Sequence, residues 1–227
     1  MFDRVEKLIG RDNLDEISKK CVVVVGLGGV GGYAVESLVR SGIGKIILVD
    51  YDTIDLTNLN RQIITNQNNI GKYKTDEMAD RIKSIYPNCQ VIKFTKRLEL
   101  NNIDELFSYS FDYLIDACDT VIIKQELIRK CLEKSIKFIS SMGTGNKLEP
   151  SLLEVTDIRN TSYDPIAKRI RKYLKENHIY GKVFVVYSKE KRDKFEGSIP
   201  SMMFVPATSG LLCANFVIKD IISTCKK

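Results

Sequence analysis

The sequence predicts an α/β domain with a Rossmann-like, doubly wound and mostly parallel sheet that has helices on both faces. Three observations support this. A β-branched run precedes a glycine-rich segment, strand and helix patterns then alternate as far as residue 140, and 227 residues suffice for one such domain but are few for two. We expect one domain over 1–227, with a core in 1–145 and a C-terminal elaboration in 146–227.

The alternation begins with residues 21–25, whose β-branched side chains are typical of a strand buried on both faces. The apolar spacing of 33–41 predicts a helix that ends at Gly42, and a second strand follows at 45–50. The polar segment 51–70 is longer than a simple connection, which favours a functional loop. The other core elements are predicted as helices at 13–20, 75–86, 102–107 and 122–134 and strands at 90–95, 111–116 and 137–140.

The periodicity weakens after Gly145. Strands are predicted at 152–156 and 183–187, a basic amphipathic helix at 165–176 and a closing helix at 209–222. We interpret this part as an addition to the same sheet.

Composition excludes several classes of protein. Six cysteines without a Cys-x-x-Cys pair predict neither a zinc knuckle nor a disulfide framework. No apolar stretch is expected to approach the roughly 20 residues that span a bilayer, so we expect no membrane contact and a cytoplasmic location. The net charge of +6 fits an anionic partner but is too common to identify one.

A Gly-x-Gly-x-x-Gly motif follows the first strand and opens a helix, which lets backbone NH groups approach phosphate oxygens. Asp50, at the tip of the second strand, is placed to hydrogen-bond ribose hydroxyls. These features predict a nucleotide site but suit ATP and a nicotinamide dinucleotide equally, and a tight strand–helix crossing without a ligand is a third interpretation. The glycines of the segment are Gly26, Gly28, Gly29 and Gly31.

Cations in the polar loop bear on the choice of nucleotide. An uncharged nicotinamide needs none at the far end of the site, whereas a triphosphate needs several, and Arg61 and Lys74 suit phosphate oxygens. Ordinary surface cations are the alternative interpretation. The polar loop also contains Asn58 and Gln62.

Asp116-Ala-Cys118-Asp119 follows another parallel strand, at the sheet edge where such folds bind ligands. Asp119 is a candidate Mg²⁺ carboxylate, with a helix N-cap as the competing role. Asp116 suits either metal binding or a structural position at the strand end. Cys118 is interpreted as a packed cysteine rather than a nucleophile.

Together these motifs resemble the ubiquitin-activating-enzyme-like superfamily over residues 2–145. The resemblance implies adenylation of a carboxylate by ATP and Mg²⁺ in a homodimer. It also implies that Arg4 reaches the γ-phosphate of the neighbouring subunit, with a helix-surface arginine as the alternative. The other implied roles fall on Asp50 for ribose, on Asn58, Arg61, Gln62 and Lys74 for phosphates, and on Asp119 for Mg²⁺.

The second half resembles the tRNA threonylcarbamoyladenosine dehydratase branch, because Asp164-Pro165 precedes a basic helix and the zinc pairs of sulfur-carrier activators are absent. This implies adenylation of a threonylcarbamoyl carboxylate on the adenosine next to the anticodon, followed by ring closure. Two other functions stay open, activation of a Gly-Gly sulfur-carrier protein and an NAD-dependent dehydrogenase. A bound monovalent cation and a sulfur-relay partner also stay open.

The basic helix is predicted to bind tRNA phosphates, with Tyr163 or Tyr173 stacking on a base. A solvated helix face explains the same charges without RNA. The predicted phosphate-binding residues are Lys168, Arg169, Arg171 and Lys172, with Lys175, Lys189, Lys191, Arg192 and Lys194 extending the patch.

Overall fold

A seven-stranded sheet forms the centre of the computed structural model, which describes residues 1–191, 195–197 and 199–224. In chain order the strands are β1 Cys21–Val25, β2 Lys45–Val49, β3 Gln90–Phe94, β4 Tyr113–Asp116, β5 Lys137–Ser141, β6 Leu153–Asp157 and β7 Phe184–Ser188. Their spatial order is β3-β2-β1-β4-β5-β7-β6. Every pair is parallel except β6 with β7, which confirms the predicted fold class.

Eight α-helices of the described residues surround this sheet. In chain order they are α1 Asp3–Ile9, α2 Arg11–Lys19, α3 Gly31–Arg40, α4 Lys74–Ile85, α5 Ile103–Leu106, α6 Val121–Glu133, α7 Pro165–Glu176 and α8 Phe204–Thr224. A 3-10 helix, Leu56–Asn58, interrupts the polar loop.

Strand β1 shows why the sheet is covered on both sides. Val22 and Val24 belong to an apolar cluster with residues of α3, α4 and α8, whereas Val23 and Val25 belong to a second cluster with residues of α5, α6 and α7. Because successive side chains of a strand point to opposite faces, the β-branched run supplies both cores. The predicted burial of this strand on both faces is confirmed.

The two ends of the chain differ most from expectation. The N-terminal lead-in contains two helices rather than one, separated at Gly10, whose φ of 85° is favourable for glycine. The closing helix begins at Phe204 instead of residue 209. Pro206 lies in its first turn, where a missing NH costs no intrahelical hydrogen bond, so proline does not delay the start of the helix.

Helix α8 also corrects the expectation about apolar stretches. It is 21 residues long and, by length and composition alone, apolar enough to cross a membrane. Its buried residues, including Cys213, Ala214 and Val217, belong to the core cluster that also contains residues of α3. Helix α8 therefore contributes to the core on one face of the sheet.

The strand order reverses beside β1, where β2 and β4 lie on its two sides. The register pairs Val25 with Val49 and with Asp116, so the three strands end at the same level. Open parallel sheets bind ligands in the crevice that forms at such a reversal. The residues that follow these strands are thus brought together at the carboxyl edge of the sheet.

Candidate functional site

A cleft of about 720 Å³ opens at this carboxyl edge. Its lining comes from the segments that follow β1, β2, β3 and β4, from the polar loop and from the start of α8. The sequence-predicted residues among its lining are Gly26, Gly28, Gly29, Asp50, Asn58, Arg61, Gln62, Lys74 and Asp119.

The glycine segment contributes to the cleft lining, and its glycines do not all lack a side chain for the same reason. Gly26 has φ 88°, and a Cβ there would lie 2.8 Å from the carbonyl oxygen of Ala117. A Cβ on Gly31 would lie 1.7 Å from the carbonyl oxygen of Gly26, so these two glycines are required by the turn itself. A Cβ on Gly28 would meet only the Gln62 amide, at 3.8 Å, so the backbone of Gly28 is accessible to a ligand.

Asp50 connects the glycine segment to the loop after β2. One carboxylate oxygen accepts a hydrogen bond from the Leu27 NH at 2.7 Å, and the other accepts from the Asp52 NH at 2.8 Å. Burial raises the pKa of the Asp50 carboxyl, although the nearby Lys74 charge opposes this shift. The side chain is thus fixed at the cleft, and its oxygens retain lone pairs for hydroxyl donors.

The two predicted phosphate cations are positioned by the polar loop and by α4. Lys74 is the first residue of α4, is only 5% exposed, and its Nζ lies 2.9 Å from Asp52. Arg61 donates from Nη1 to the carbonyl oxygen of Thr57 at 2.8 Å and to Oδ1 of Asn60 at 2.9 Å. Both line the same cleft and bring positive charge to it.

Gln62 carries an unsatisfied polar atom in this wall. The residue is 7% exposed, and its Oε1 is buried without a hydrogen-bond partner among the described residues. Leaving such a group unpaired costs about 1–3 kcal/mol. Since a side-chain amide can present either its oxygen or its NH₂ group, a polar ligand in the cleft would remove this cost.

Asp119 is an exposed carboxylate in the lining of the cleft. The N-cap residue of α6 is Thr120 and makes no side-chain cap hydrogen bond, so the alternative role of Asp119 as N-cap is wrong. No group of three or more metal-ligating side chains occurs among the described residues. Asp119 fits a Mg²⁺ ion that takes most of its ligands from nucleotide oxygens and water.

Asp116, for which the motif left metal binding and a structural position open, has a structural role. It is fully buried, and its Oδ2 lies 3.1 Å from the Lys124 Nζ and accepts from the Ser140 hydroxyl at 2.5 Å. Its Oδ1 accepts from the Cys118 NH at 3.2 Å. The buried ion pair of Asp116 and Lys124 thus holds the start of the segment that carries Asp119.

Lys124 is the residue that sequence reasoning missed. It is 1% exposed, and its Nζ also donates to the carbonyl oxygen of Ser141 at 2.7 Å. Burial by itself lowers the pKa of Lys124, but the Asp116 carboxylate outweighs it and raises that pKa. The sequence signal that could have identified it is a lysine on the apolar face of α6, in helical register with Leu127 and Cys131.

The thiol of Cys118 is unsuited to nucleophilic chemistry. Burial, together with the charge of Asp116, raises the pKa of the Cys118 thiol well above its usual range. The thiol donates to Oδ1 of Asp116 at 3.1 Å. Because the thiolate is the reactive form, these contacts favour the predicted packed cysteine.

Residues 96–101 also line the cleft, and sequence reasoning missed them. They follow β3, and any segment directly after a parallel strand lies at the ligand-binding edge, which is a signal that was available. Arg97 stacks over the Tyr51 ring at 5.3 Å, and Leu98 and Leu100 lie nearby. The Tyr51 ring and the two leucines suit a flat ring, and Lys96 and Arg97 add positive charge to this part of the lining.

Arg4 lies away from the cleft of its own chain. It is exposed on α1, and the ring of the preceding Phe2 contacts Tyr86 with 4.9 Å between centroids. Tyr86 is the C-cap residue of α4, in the connection that leads to the amino end of β3, whereas the cleft lies at the carboxyl edge. The structure therefore does not bring Arg4 to the other predicted site residues within one chain.

The predicted phosphate-binding residues of the basic helix α7 differ in their exposure to solvent. Lys168, Arg169 and Lys172 are exposed, and Lys172 lies 3.7 Å from Glu176. Arg171 instead donates from Nη1 to the carbonyl oxygen of Thr161 at 3.1 Å and also contacts the hydroxyl of that residue. Arg171 is therefore removed from the predicted tRNA-binding set, because its guanidinium is used inside the fold. Arg192 and Lys194 lie outside the described residues.

Comparison with known proteins gives three findings. Residues 2–219 match the model of the ThiF family. A tRNA threonylcarbamoyladenosine dehydratase of Bacillus subtilis (strain 168) is 37% identical over 239 residues, which cover 97% of this chain and 94% of the relative. A crystal structure of Escherichia coli tRNA N6-threonylcarbamoyladenosine dehydratase, TcdA, in complex with ATP has a TM-score of 0.93 at 33% identity, over 99% of this chain and 95% of that one.

Adenylyltransferases that act elsewhere match less of the chain. A molybdopterin-synthase adenylyltransferase of Haemophilus influenzae is 27% identical over 166 residues, which cover 73% of this chain and 67% of the relative. A probable molybdopterin-synthase adenylyltransferase of Porphyra purpurea is 39% identical, but only over 127 residues, which cover 56% of this chain and 32% of the relative. The likeness to the Bacillus subtilis dehydratase is thus the more complete in coverage.

Proposed function

The chain belongs to the ThiF family, and from that premise we propose that it is an ATP-dependent tRNA threonylcarbamoyladenosine dehydratase. The observation that carries this proposal is one cleft that combines side chains suited to a nucleoside with cations suited to phosphates. Tyr51, Leu98 and the fixed Asp50 suit a nucleoside, whereas Arg61 and Lys74 suit a chain of phosphates. A nicotinamide would leave those cations without a ligand charge. The assignment of the acyl substrate rests on the dehydratase relatives that match nearly the whole chain.

The residues present fit ATP. Gln62 lines the cleft with a buried amide oxygen that lacks a partner, and the open backbone at Gly28 allows close approach of a phosphate. Asp119 is the residue that would hold Mg²⁺, whose chemistry is to neutralise charge on phosphate oxygens. We infer no site for a monovalent cation.

The proposed reaction has two steps. A carboxylate oxygen of the threonylcarbamoyl group bonds to the α-phosphorus of ATP as the α–β bridging bond breaks and pyrophosphate leaves. A nitrogen of the same side chain then attacks the acyl carbon, loses its proton, and AMP leaves with the former carboxylate oxygen. The net change in the nucleoside is the loss of one water.

The chain's own groups act mainly through charge. Arg61 and Lys74 are positioned to stabilise negative charge that develops on the phosphates, and the backbone NH groups of the glycine segment add to this. Lys74 needs little reorganisation, because burial and Asp52 already fix it. Ring closure needs no protein thiol, in agreement with the raised pKa of Cys118.

We further propose a homodimer in which Arg4 enters the cleft of the neighbouring subunit. The support is that Arg4 is exposed and lies away from the cleft of its own chain. Mixing the Arg4→Ala and Arg61→Ala proteins should then restore part of the activity, because one site of each mixed dimer has both arginines. Absence of recovery on mixing, with subunit exchange verified, would remove Arg4 from the site.

The proposed setting is the cytoplasm, with tRNA as substrate and no membrane. A sulfur-relay protein is a further candidate partner. The direct test is AMP and pyrophosphate formation with tRNA that carries the threonylcarbamoyl group, using the same tRNA without that group as control. We expect product only with the modified tRNA. Exchange of pyrophosphate into ATP that depends on a Gly-Gly carrier protein would favour the sulfur-carrier alternative instead.

A further inference from the structure

We propose that Tyr163 is the base-stacking residue of the tRNA-binding surface, placed at the mouth of the nucleotide cleft. This inference rests on the proposed function and makes it more specific, since it selects one side chain that recognises an unpaired base beside the reacting adenosine. It is supported by the position, conformation and surroundings of the side chain.

The position of Tyr163 is fixed by the next residue. Asp164 accepts a hydrogen bond from the Ala167 NH at 2.9 Å, as the N-cap of α7, and its other oxygen accepts from the Gly143 NH at 3.0 Å. Gly143 follows β5 at the carboxyl edge, and Thr144 lines the cleft. A buried carboxylate with two backbone ligands thus holds Tyr163 beside the cleft wall.

The side chain of Tyr163 is directed to solvent at this anchored position. It is 65% exposed, and its backbone has φ 57°, a region that residues other than glycine seldom occupy. A tyrosine packed for stability would bury its ring. An exposed aromatic ring on a fixed backbone is instead the arrangement that single-stranded nucleic acid uses for stacking.

Positive charge lies beside the ring and on the helix that follows it. Lys191 lies with its Nζ 5.8 Å from the ring centroid. Lys168 and Arg169 are exposed on the first turns of α7, and no ion pair of either is found within the described part of the chain. An exposed ring can stack on the flat base of a nucleotide, and cations beside it can bind the anionic phosphate.

Tyr173, the other aromatic residue of this helix, is a poor candidate. It is half-buried, and burial raises the pKa of its hydroxyl. Its charged neighbours are Glu126, Arg129 and Glu133 of α6, and the arginine is already paired with both glutamates rather than available to a phosphate. The structure thus favours Tyr163 over Tyr173 for stacking, a choice that the sequence left open.

The test compares Tyr163→Phe, Tyr163→Leu and Tyr163→Ala in the full chain. Every variant keeps a Cβ, so the strain at φ 57° is common to the series. A lost stack costs about 1–3 kcal/mol, which corresponds to roughly 5- to 150-fold in affinity. We expect KM for modified tRNA to rise by this factor for Leu and Ala and to stay near wild type for Phe, with the Kd for ATP unchanged in all three.

Tyr180→Ala is the matched control, because Tyr180 is 82% exposed but lies next to Gly181, before the amino end of β7. We expect it to leave KM for tRNA unchanged. Wild-type KM in Tyr163→Leu and Tyr163→Ala would overturn the inference while the dehydratase proposal stands. If wild-type protein itself fails to convert modified tRNA, the proposed function fails, which is a separate result.

Discussion

The cleft and helix α7 are both rich in cations, but they hold them in opposite ways. Lys74 and Arg61 are fixed by Asp52, Thr57 and Asn60, whereas Lys168 and Arg169 of α7 extend into solvent. Fixed cations stabilise charge at one point without reorganisation, and exposed ones act additively and are screened by salt. On the proposed function, the same residue types serve catalysis in one region and tRNA binding in the other.

The largest effect is expected from the buried pair that supports the cleft. Lys124→Met leaves the fully buried Asp116 carboxylate without its cation, which should lower the free energy of unfolding by about 3–5 kcal/mol. Denaturant unfolding measures this change. Lys124→Met combined with Asp116→Asn should recover much of the loss, and equal stability of the single and double variants would contradict the assigned pairing.

Arg61→Ala tests the fixed cations directly. Arg61 lines the cleft and its guanidinium donates to Thr57 and Asn60 of the polar loop, so we expect turnover to fall by about 10²–10³-fold or more while the melting temperature stays near wild type. Lys93→Ala serves as control, since Lys93 pairs with Asp76 at the surface. Wild-type turnover by the Arg61→Ala protein would disprove the phosphate-site assignment.

Asp50 gives a pH-dependent effect of intermediate size. Burial raises its pKa, so the carboxylate protonates at a higher pH than an ordinary aspartate and then loses an acceptor for ribose hydroxyls. We expect ATP affinity to fall roughly tenfold as the pH is lowered through this pKa. Titration calorimetry across acidic pH measures the change, and Asp50→Asn should bind weakly but without that pH dependence. An unchanged pH profile in the variant would exclude Asp50.

The smallest effects are expected on α7, where single exposed charges act. Lys168→Ala and Arg169→Ala should each weaken tRNA binding and reduce the slope of log affinity against log salt by about 0.7–0.9. Arg171→Ala is the contrasting variant, because its guanidinium bonds the carbonyl oxygen of Thr161. It should lower thermal stability and leave the salt slope unchanged. A reduced slope in Arg171→Ala would restore that residue to the binding set.

Sequence patterns predicted the core elements well, because their causes are local. The β-branched run 21–25 and the glycines after it specify a strand and a turn by their own conformational preferences. The pairing of Lys124 with Asp116 joins a helix to a strand end, and the role of Arg171 depends on a carbonyl group ten residues away. Such contacts depend on tertiary packing, which a one-dimensional pattern does not contain. Arg4 and the tRNA-binding surface remain predictions.

Mass analysis of tRNA nucleosides tests the central claim most directly. Modified tRNA is incubated with the full chain, ATP and Mg²⁺, with the Arg61→Ala protein as the matched control. We predict ATP-dependent loss of one water from threonylcarbamoyladenosine with the wild-type protein and little or none with the variant. An unchanged nucleoside mass, obtained with protein that binds ATP and with tRNA shown to carry the threonylcarbamoyl group, would contradict the account.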